Sequence, residues 1–319
     1  MYDTDVSKLK EADIPEVARL AFESRQSSPH HTEERTAEGI QRGLEEYSKD
    51  DSAMIIQARD SETGVLQGYL TFYVGFPGIA FIDPWNPMVL PGDNERAVAE
   101  TMIERCKGHA RESDIERLEA QFNRLDDSLR PLQKKQSEWY LACDFYRVTE
   151  EAFMMANLER IEAPWLDEPK GFELRPLSET DNEDIRDPFF ETFLNTKNGL
   201  FVDLSQKQQI VSFDWWFNRS KPFNNEASNV IFKNNDLAAF VVARPSENEI
   251  YIGPVGVHPE FRQRGLGKFL MITALNALKR QGVKKVNLEV DLENKAAYNL
   301  YSKLGFEELH TTIFYAWSV

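Results

Sequence analysis

The chain contains, at residues 255–268, the stretch Val255-Gly256-Val257-His258-Pro259-Glu260-Phe261-Arg262-Gln263-Arg264-Gly265-Leu266-Gly267-Lys268. Its first three residues are typical of the end of an apolar strand, and a basic, glycine-rich turn then leads directly into a helix. Free backbone N–H groups and the dipole at a helix N-terminus attract an anion, and Arg262 and Arg264 add positive charge. Gly265 and Gly267 permit close approach of the backbone and a positive φ. The stretch therefore predicts a pyrophosphate site that is neither a Walker loop nor a dinucleotide fingerprint.

The segments around this stretch alternate between strand and helix patterns. Gly253-Pro254 lies inside the predicted strand 249–257, and because proline cannot donate to a sheet ladder, we expect the strand to bulge or to leave the sheet there. Early hairpins combined with this alternation predict an α/β fold with a mixed sheet flanked by helices. Strands are predicted at 172–177, 229–233, 237–244, 249–257, 285–290 and 306–317, and helices at 182–195, 205–217, 267–281 and 295–304.

The first half of the chain repeats this order of segments weakly. Phe81-Ile82-Asp83-Pro84 parallels Tyr251-Ile252-Gly253-Pro254, and Leu118-Glu119-Ala120 parallels Leu288-Glu289-Val290 at the same offset. Tyr140 later parallels Tyr301. The consistent order predicts a duplication. Two prolines and a glycine at 161–171 predict a linker between one domain at 1–160 and a second at 172–319.

Two motifs in the second half resemble the signatures of the GCN5-related N-acetyltransferase (GNAT) superfamily. The first is Arg262-Gln263-Arg264-Gly265-Leu266-Gly267, and the second runs from Asn294 through Ala297 and Tyr301 to Gly305-Phe306. The resemblance implies two tandem GNAT-like domains, each with a mixed central sheet flanked by helices. It also implies acetyl-CoA as the co-substrate, no metal, and transfer of the acetyl group to a primary amine.

The resemblance further assigns roles to individual residues. Backbone groups of Val255 and Val257 would pair with the pantetheine arm, backbone N–H groups at 263–268 would hold the pyrophosphate, and Asn294 would hydrogen-bond the pantetheine. Tyr301 would protonate the departing CoA thiolate, since a phenol with a pKa of about 10 can donate to a thiolate at neutral pH. The implied cofactor-binding residues are Val255, Gly256, Val257, Arg262, Gln263, Arg264, Gly265, Leu266, Gly267, Lys268 and Asn294.

The general base departs from the family's pattern. Members of the family often place a carboxylate near the position of Tyr251, which carries none. Glu249 lies two residues earlier on the same face of the strand, and Glu289 lies on the neighbouring strand. We expect Glu249 to act through a water relay, the alternative being that it simply faces solvent. His258 is interpreted as local structure.

The first half lacks the anion-binding pattern at the matching place. Asp93 and Glu95 lie where a pyrophosphate would bind, and Asp93 or Asn94 is a good N-cap that would occupy the free N–H groups. We therefore expect a degenerate GNAT-like domain that does not bind CoA there and that supports the second domain or binds the acceptor.

The charge of the chain narrows the range of partners. The 319 residues have a net charge of −16, which disfavours nucleic acid. Residues 172–319 hold 17 Lys and Arg against 19 Asp and Glu, so most of the acidic excess lies in the first half. That excess favours a cationic acceptor, such as a polyamine, an amino sugar, or a lysine or N-terminus of a protein.

The composition also bears on location and on rival functions. The chain has no apolar run of about 18 residues, which a membrane helix needs, and Cys106 and Cys143 lack disulfide or metal spacing. The sequence predicts a cytoplasmic monomer or homodimer with no membrane partner. Two other functions stay open: transfer of a longer acyl group, and a non-catalytic acyl-CoA sensor, against which Tyr301 and the intact second motif argue.

Overall fold

The computed structural model describes residues 2–26, 36–84, 86–124, 130–161, 164–246 and 249–319. The chain forms two compact units, of which unit 1 is Met1–Val148 with Thr312–Val319 and unit 2 is Thr149–Thr311. The linker expected at 161–171 therefore lies inside unit 2. The last eight residues belong to unit 1, because Tyr315 and Trp317 are buried in its apolar core.

Unit 1 is a mixed sheet with helices packed against it. Four strands, β1 to β4, pair antiparallel in sequence order, and β4 then pairs parallel with β6. Beyond β6 lies the end of the last strand, β13. The elements are β1 (Tyr2–Ser7), α1 (Ile14–Gln26), α2 (Ala37–Tyr47), β2 (Ala53–Asp60), β3 (Leu66–Phe76), β4 (Ile79–Ile82), β5 (Met88–Val89), α3 (Glu95–Glu112), β6 (Arg117–Arg124) and α4 (Arg130–Ala142).

Unit 2 has the same class of architecture, which confirms the predicted fold. Its strands follow the order β7-β12-β11-β10-β9-β8, with β11 and β12 parallel and the other neighbours antiparallel. The elements are β7 (Tyr146–Asn157), β8 (Glu173–Pro176), α5 (Asn182–Leu194), α6 (Gly199–Asp203), α7 (Gln206–Trp216), β9 (Asn229–Lys233), β10 (Asp236–Ser246), β11 (Glu249–Val257), α8 (Leu266–Arg280), β12 (Lys285–Asp291), α9 (Lys295–Lys303) and β13 (Glu307–Ser318), whose end belongs to unit 1.

Helices cover both faces of the sheet of unit 2. Along β10, Val241 points into the apolar cluster that contains α8 and Tyr301 of α9. The neighbouring residues Phe240 and Val242 point into a second, phenylalanine-rich cluster built from α5, α6 and α7. Successive side chains of a strand alternate between faces, so an almost uninterrupted apolar strand can fill two cores.

The predicted bulge in β11 is present. Val241 of β10 pairs with Val255, whereas Ala243 pairs with Ile252, so β11 carries one extra residue beside Gly253-Pro254. The irregularity re-aims the last residues of β11, which lead into the glycine-rich turn.

A local motif supports the predicted duplication. At the end of α4 the amide of Phe145 donates to the carbonyl of Tyr140, and at the end of α9 the amide of Phe306 donates to the carbonyl of Tyr301. The residues before the two phenylalanines, Asp144 and Gly305, both have positive φ values, 60° and 88°. The same helix ending therefore follows the two tyrosines that the sequence matched.

Candidate active site

The glycine-rich turn of unit 2 presents an uncapped helix N-terminus. Gln263 and Gly265 have positive φ values of 62° and 79°, and α8 begins directly after them. No side chain of the described residues caps this end of α8, so its first N–H groups point outward without a protein acceptor. Arg264 and Lys268 are exposed beside them, with the guanidinium of Arg264 lying over the Phe261 ring. The turn can therefore hold an anion.

The glycines of this segment serve different purposes. At Gly265 the positive φ is the constraint, because a Cβ there would meet nothing within 4 Å. A Cβ on Gly267 would lie 3.5 Å from Val257, an ordinary contact. A Cβ on Gly256 would lie 2.3 Å from the Phe240 ring, so this glycine is required by the packing of two strands. Leu266 is buried in the apolar core and anchors the helix.

From the sequence we expected Arg262 to contact the anion. In the structure its guanidinium is instead bonded to backbone carbonyls of the protein. Its Nε donates to the carbonyl of Val257 at 3.1 Å, and its two terminal nitrogens donate to the carbonyls of Asn195 at 2.9 Å and Thr192 at 3.2 Å. Burial lowers the pKa of this guanidinium. The side chain therefore joins the turn to the end of α5, and the positive charge facing solvent comes from Arg264 and Lys268.

The edge of β11 next to the turn is open. β11 pairs with β12 only at Ile250 and Tyr251, while its pairing with β10 continues to Val257. From Ile252 to Val257, no other strand of the described residues pairs with the β12 side of β11. Parallel strands that separate in this way leave backbone N–H and C=O groups for an extended ligand. Val255 and Val257 lie in this open segment.

Asn294 and Tyr301 lie on α9, which follows β12. The side chain of Asn294 caps α9 by accepting from the amide of Ala297 at 3.2 Å, so its oxygen has a structural role that the sequence did not predict. Tyr301 is 7% exposed, and its hydroxyl has no hydrogen-bond partner among the described residues. Burial raises the pKa of Tyr301, which keeps the phenol protonated at neutral pH.

The two candidate carboxylates occupy opposite sides of the point where β11 and β12 separate. Glu249 lies before it and accepts a hydrogen bond from the side-chain amide of Asn287 at 2.7 Å. Glu289 lies beyond it, with the hydroxyl of Tyr251 at 3.5 Å from its carboxylate. Burial of the carboxyl group among neighbouring protein atoms raises the pKa of Glu289, although more than a third of the surface of the residue is exposed.

Tyr251 lies beside Glu289, near enough to Tyr301 for the two phenols to interact electrostatically. Burial, followed by the nearby Glu289, Glu151 and Tyr301, raises the pKa of Tyr251 well above its usual value. The indole of Trp216 stacks on the Tyr251 ring at 5.7 Å. The sequence did not identify Trp216 or Glu151, because they come from α7 and β7, far from both motifs. The site therefore combines acidic groups, aromatic walls and a protonated phenol.

The matching region of unit 1 is occupied by its own side chains. Glu95 at the start of α3 accepts from the amide of Gly92 at 3.3 Å and contacts Lys135. The predicted side-chain cap by Asn94 is wrong, since Asn94 makes no capping hydrogen bond. Tyr140 is fully buried and donates to the carbonyl of Asn86 at 2.9 Å.

The described residues hold no group of three or more His, Cys, Asp and Glu side chains arranged to bind a metal ion. Nor do they include a helix that is both long and apolar enough to cross a membrane.

Comparison with known proteins agrees with the geometry of unit 2. Residues 179–306 match the model of the acetyltransferase (GNAT) family. A mycothiol acetyltransferase of Rhodococcus jostii is 28% identical over 173 residues, which are 54% of this chain and 47% of the relative. The matched part of the chain spans about half the length of this relative. For a mycothiol acetyltransferase of Paenarthrobacter aurescens it spans 21% of the relative.

Two solved structures share the fold over nearly the whole chain. A GCN5-related N-acetyltransferase from Sphaerobacter thermophilus has a TM-score of 0.61 at 17% identity, covering 99% of this chain and 95% of that one. A tandem GNAT protein from the clavulanic acid biosynthesis pathway has a TM-score of 0.54 at 17% identity, covering 99% and 98%. Residues 179–306 therefore match the acetyltransferase (GNAT) family, and the fold of the chain is shared with a tandem GNAT protein.

Proposed function

We propose that the protein is an acetyl-CoA-dependent N-acetyltransferase with one working site, in unit 2, that acetylates a primary amine. The open edge of β11, which leads directly to the uncapped start of α8, carries this proposal. Acetyl-CoA would bind with its pantetheine along Val255 and Val257 and its pyrophosphate at the amides of 263–268. Arg264 and Lys268 would add charge-assisted contacts.

Tyr301 would act as the general acid. As the amine nitrogen bonds to the thioester carbon, the carbon–sulfur bond breaks and the sulfur takes the proton of the Tyr301 hydroxyl. The raised pKa of Tyr301 keeps that proton available at neutral pH. A thiolate forming in the same poorly hydrated surroundings is also more basic than one in water, which favours the transfer.

Glu289 would be the group that receives the proton of the amine. Glu249, expected from the sequence to work through a water, already accepts from Asn287 on the paired side of the strands. Glu289 lies on the separated side, beside Tyr251, and its raised pKa suits a base that operates near neutral pH. An acceptor that arrives as an ammonium ion would first lose one proton to solvent. The proton that Glu289 takes from the amine nitrogen during attack would then restore Tyr301 for the next turnover.

The acceptor would be a cationic amine. Glu289 and Glu151 lie near Tyr251, whose ring and that of Trp216 provide flat walls, and ammonium groups are attracted to both carboxylates and aromatic faces. Polyamines, amino sugars and the lysine or N-terminal amines of proteins have this chemistry.

The test is thiol release from acetyl-CoA with a panel of a polyamine, an amino sugar and a peptide with a free N-terminus. We expect amine-dependent release with at least one acceptor. Tight acetyl-CoA binding by calorimetry without thiol release from any amine would indicate the acyl-CoA sensor instead. Faster release with a longer acyl-CoA would indicate a different acyl donor.

A further inference from the structure

Two contacts join the anion-binding turn to the C-terminal end of α5. The first is Arg262, whose guanidinium donates to the carbonyls of Thr192 and Asn195 at the end of α5 while its Nε holds the carbonyl of Val257. One planar cation thus bridges two segments 67 to 70 residues apart in the sequence. The last carbonyls of a helix have no partners within the helix, and a guanidinium satisfies them well.

The second contact is made by His258, the residue after β11. Its Nε2 lies 2.7 Å from the carboxylate of Glu191 in α5. The other ring nitrogen is buried and has no hydrogen-bond partner, so the ring is held by packing on one side and by Glu191 on the other. His258 and Arg262 therefore both bind the C-terminal end of α5, at Glu191 and at the carbonyls of residues 192 and 195.

The helix α5 is in turn packed against the helix that borders the acceptor face. Phe189 of α5 lies 5.3 Å from Phe213 and 5.5 Å from Phe217, at the end of α7. Trp216 of α7 stacks on Tyr251, which faces Glu289. Close-packed aromatic rings transmit a displacement because they leave little free volume. A shift of the end of α5 would therefore reach Trp216.

We propose that Arg262 is a positioning residue that holds α5 on the anion-binding turn and, through α7, sets the acceptor face of unit 2. The second part of this statement rests on the proposed acetyltransferase function; the first does not. The proposal gives the arginine of the signature motif a role toward the acceptor amine, whereas the neighbouring Arg264 serves the phosphates.

The first experiment compares Arg262→Gln with Arg264→Gln by hydrogen exchange of the ligand-free protein. Both substitutions remove one guanidinium from the same turn, but only Arg262 touches α5. We expect exchange of the amides at 189–198 to rise about tenfold in Arg262→Gln, as the local opening becomes easier, and to stay unchanged in Arg264→Gln. Arg262→Lys, which can reach fewer of the three carbonyls, should give a smaller rise and serves if the glutamine variant folds poorly.

The second experiment separates the two substrates by steady-state kinetics. Arg262→Gln should raise the KM of the amine about tenfold and the KM of acetyl-CoA less than threefold. Arg264→Gln should instead raise the KM of acetyl-CoA about tenfold and the KM of the amine less than threefold. Unchanged exchange at 189–198 in Arg262→Gln would overturn the proposal, as would a rise confined to the acetyl-CoA KM, which would make Arg262 a phosphate ligand. If no amine is acetylated by the wild type, the proposed function fails while the exchange result still decides whether Arg262 holds α5.

Discussion

The start of α3 in unit 1 and the start of α8 in unit 2 are alike in place and opposite in charge. α3 begins beside the carboxylate of Glu95, which already accepts an amide proton and contacts Lys135. α8 begins after Gly265 with no cap, beside the exposed Arg264 and Lys268. In unit 1 the carboxylate of Glu95 thus lies where the corresponding helix start of unit 2 is open to an external anion.

The matching tyrosines and glutamates of the two units also differ in whether they are bonded to other groups of the protein. Tyr140 donates to a backbone carbonyl, whereas the hydroxyl of Tyr301 has no partner among the described residues. Glu119 of unit 1 is paired with the buried Arg117 at 2.7 Å, whereas Glu289 faces a tyrosine hydroxyl. In unit 1 Tyr140 and Glu119 are engaged with other groups of the protein, whereas in unit 2 the hydroxyl of Tyr301 has no partner among the described residues and Glu289 has a tyrosine hydroxyl at 3.5 Å.

The largest effect is expected from Tyr301→Phe. Removing only the hydroxyl should lower kcat by about 10²–10⁴-fold, equal to roughly 3–5 kcal/mol of barrier, while the affinity for acetyl-CoA stays near that of the wild type. Rapid measurement of thiol release and calorimetry check the two parts.

Tyr140→Phe is the matched control. It should leave kcat unchanged but lower the free energy of unfolding by about 1–3 kcal/mol, because the buried carbonyl of Asn86 loses its donor. Small and equal effects of the two substitutions on kcat would mean that Tyr301 is only a core residue and that the thiolate is protonated by water or by the amine.

The next effect concerns Glu289→Gln. The pKa of Glu289 is raised, so the carboxylate is ionised, and able to take a proton, only above that raised pKa. The rate of the wild type should therefore fall as the pH drops through it, and the variant should lose this limb together with about 10²–10⁴-fold of activity. A pH–rate profile of both proteins provides the measurement.

Two carboxylate substitutions, Glu289→Gln in unit 2 and Glu119→Gln in unit 1, should change the stability of the protein in opposite directions. A carboxyl whose pKa is raised by folding destabilises the fold once it ionises, so Glu289→Gln should raise Tm at neutral pH. Glu119→Gln should lower the free energy of unfolding by about 1–3 kcal/mol without changing catalysis, because the buried Arg117 would lose a charge-assisted hydrogen bond. A Tm that falls in Glu289→Gln would contradict a carboxylate whose ionisation destabilises the fold.

A third expectation tests the geometry of the turn with Gly265→Val and Gly92→Val. Both glycines have open space around a would-be Cβ, but only Gly265 has a positive φ. Valine at 265 should weaken acetyl-CoA binding by about 100-fold, or 2.7 kcal/mol, since a β-branched residue avoids that conformation. Valine at 92 should leave acetyl-CoA binding unchanged. Equal losses of affinity at both positions would show that the positive φ of Gly265 is not what binding requires.

The smallest effect is expected in unit 1. Calorimetry should give one acetyl-CoA per chain, and Glu95→Gln should neither create a second site nor cost more than about 1 kcal/mol of stability, as for other partly exposed ion pairs. Two equivalent sites in the wild type would show that the start of α3 binds CoA after all.

Much of unit 2 could be predicted because its signals are local. The strand ending at Val257, the bulge at Gly253-Pro254 and the start of α8 each follow from a few adjacent residues. The short helix α6 was missed, since five residues carry too little periodicity. The boundary at 161–171 was expected from proline and glycine, whereas the compact units divide after Val148 and after Thr311. The burial of Tyr315 and Trp317 in the core of unit 1 depends on partners that are distant in the sequence.

By itself the sequence predicted an open, basic helix start for an anion, and the structure has that uncapped start, because φ preferences, helix ends and charge are properties of the fourteen contiguous residues at 255–268. Only the tertiary structure decided what the side chains beside that turn do. Arg262 bonds to carbonyls 67 and 70 positions away, and Glu289 meets Tyr251 across 38 positions. The direction of a side chain, and so whether it serves the fold or a substrate, is set by which distant segments pack against it.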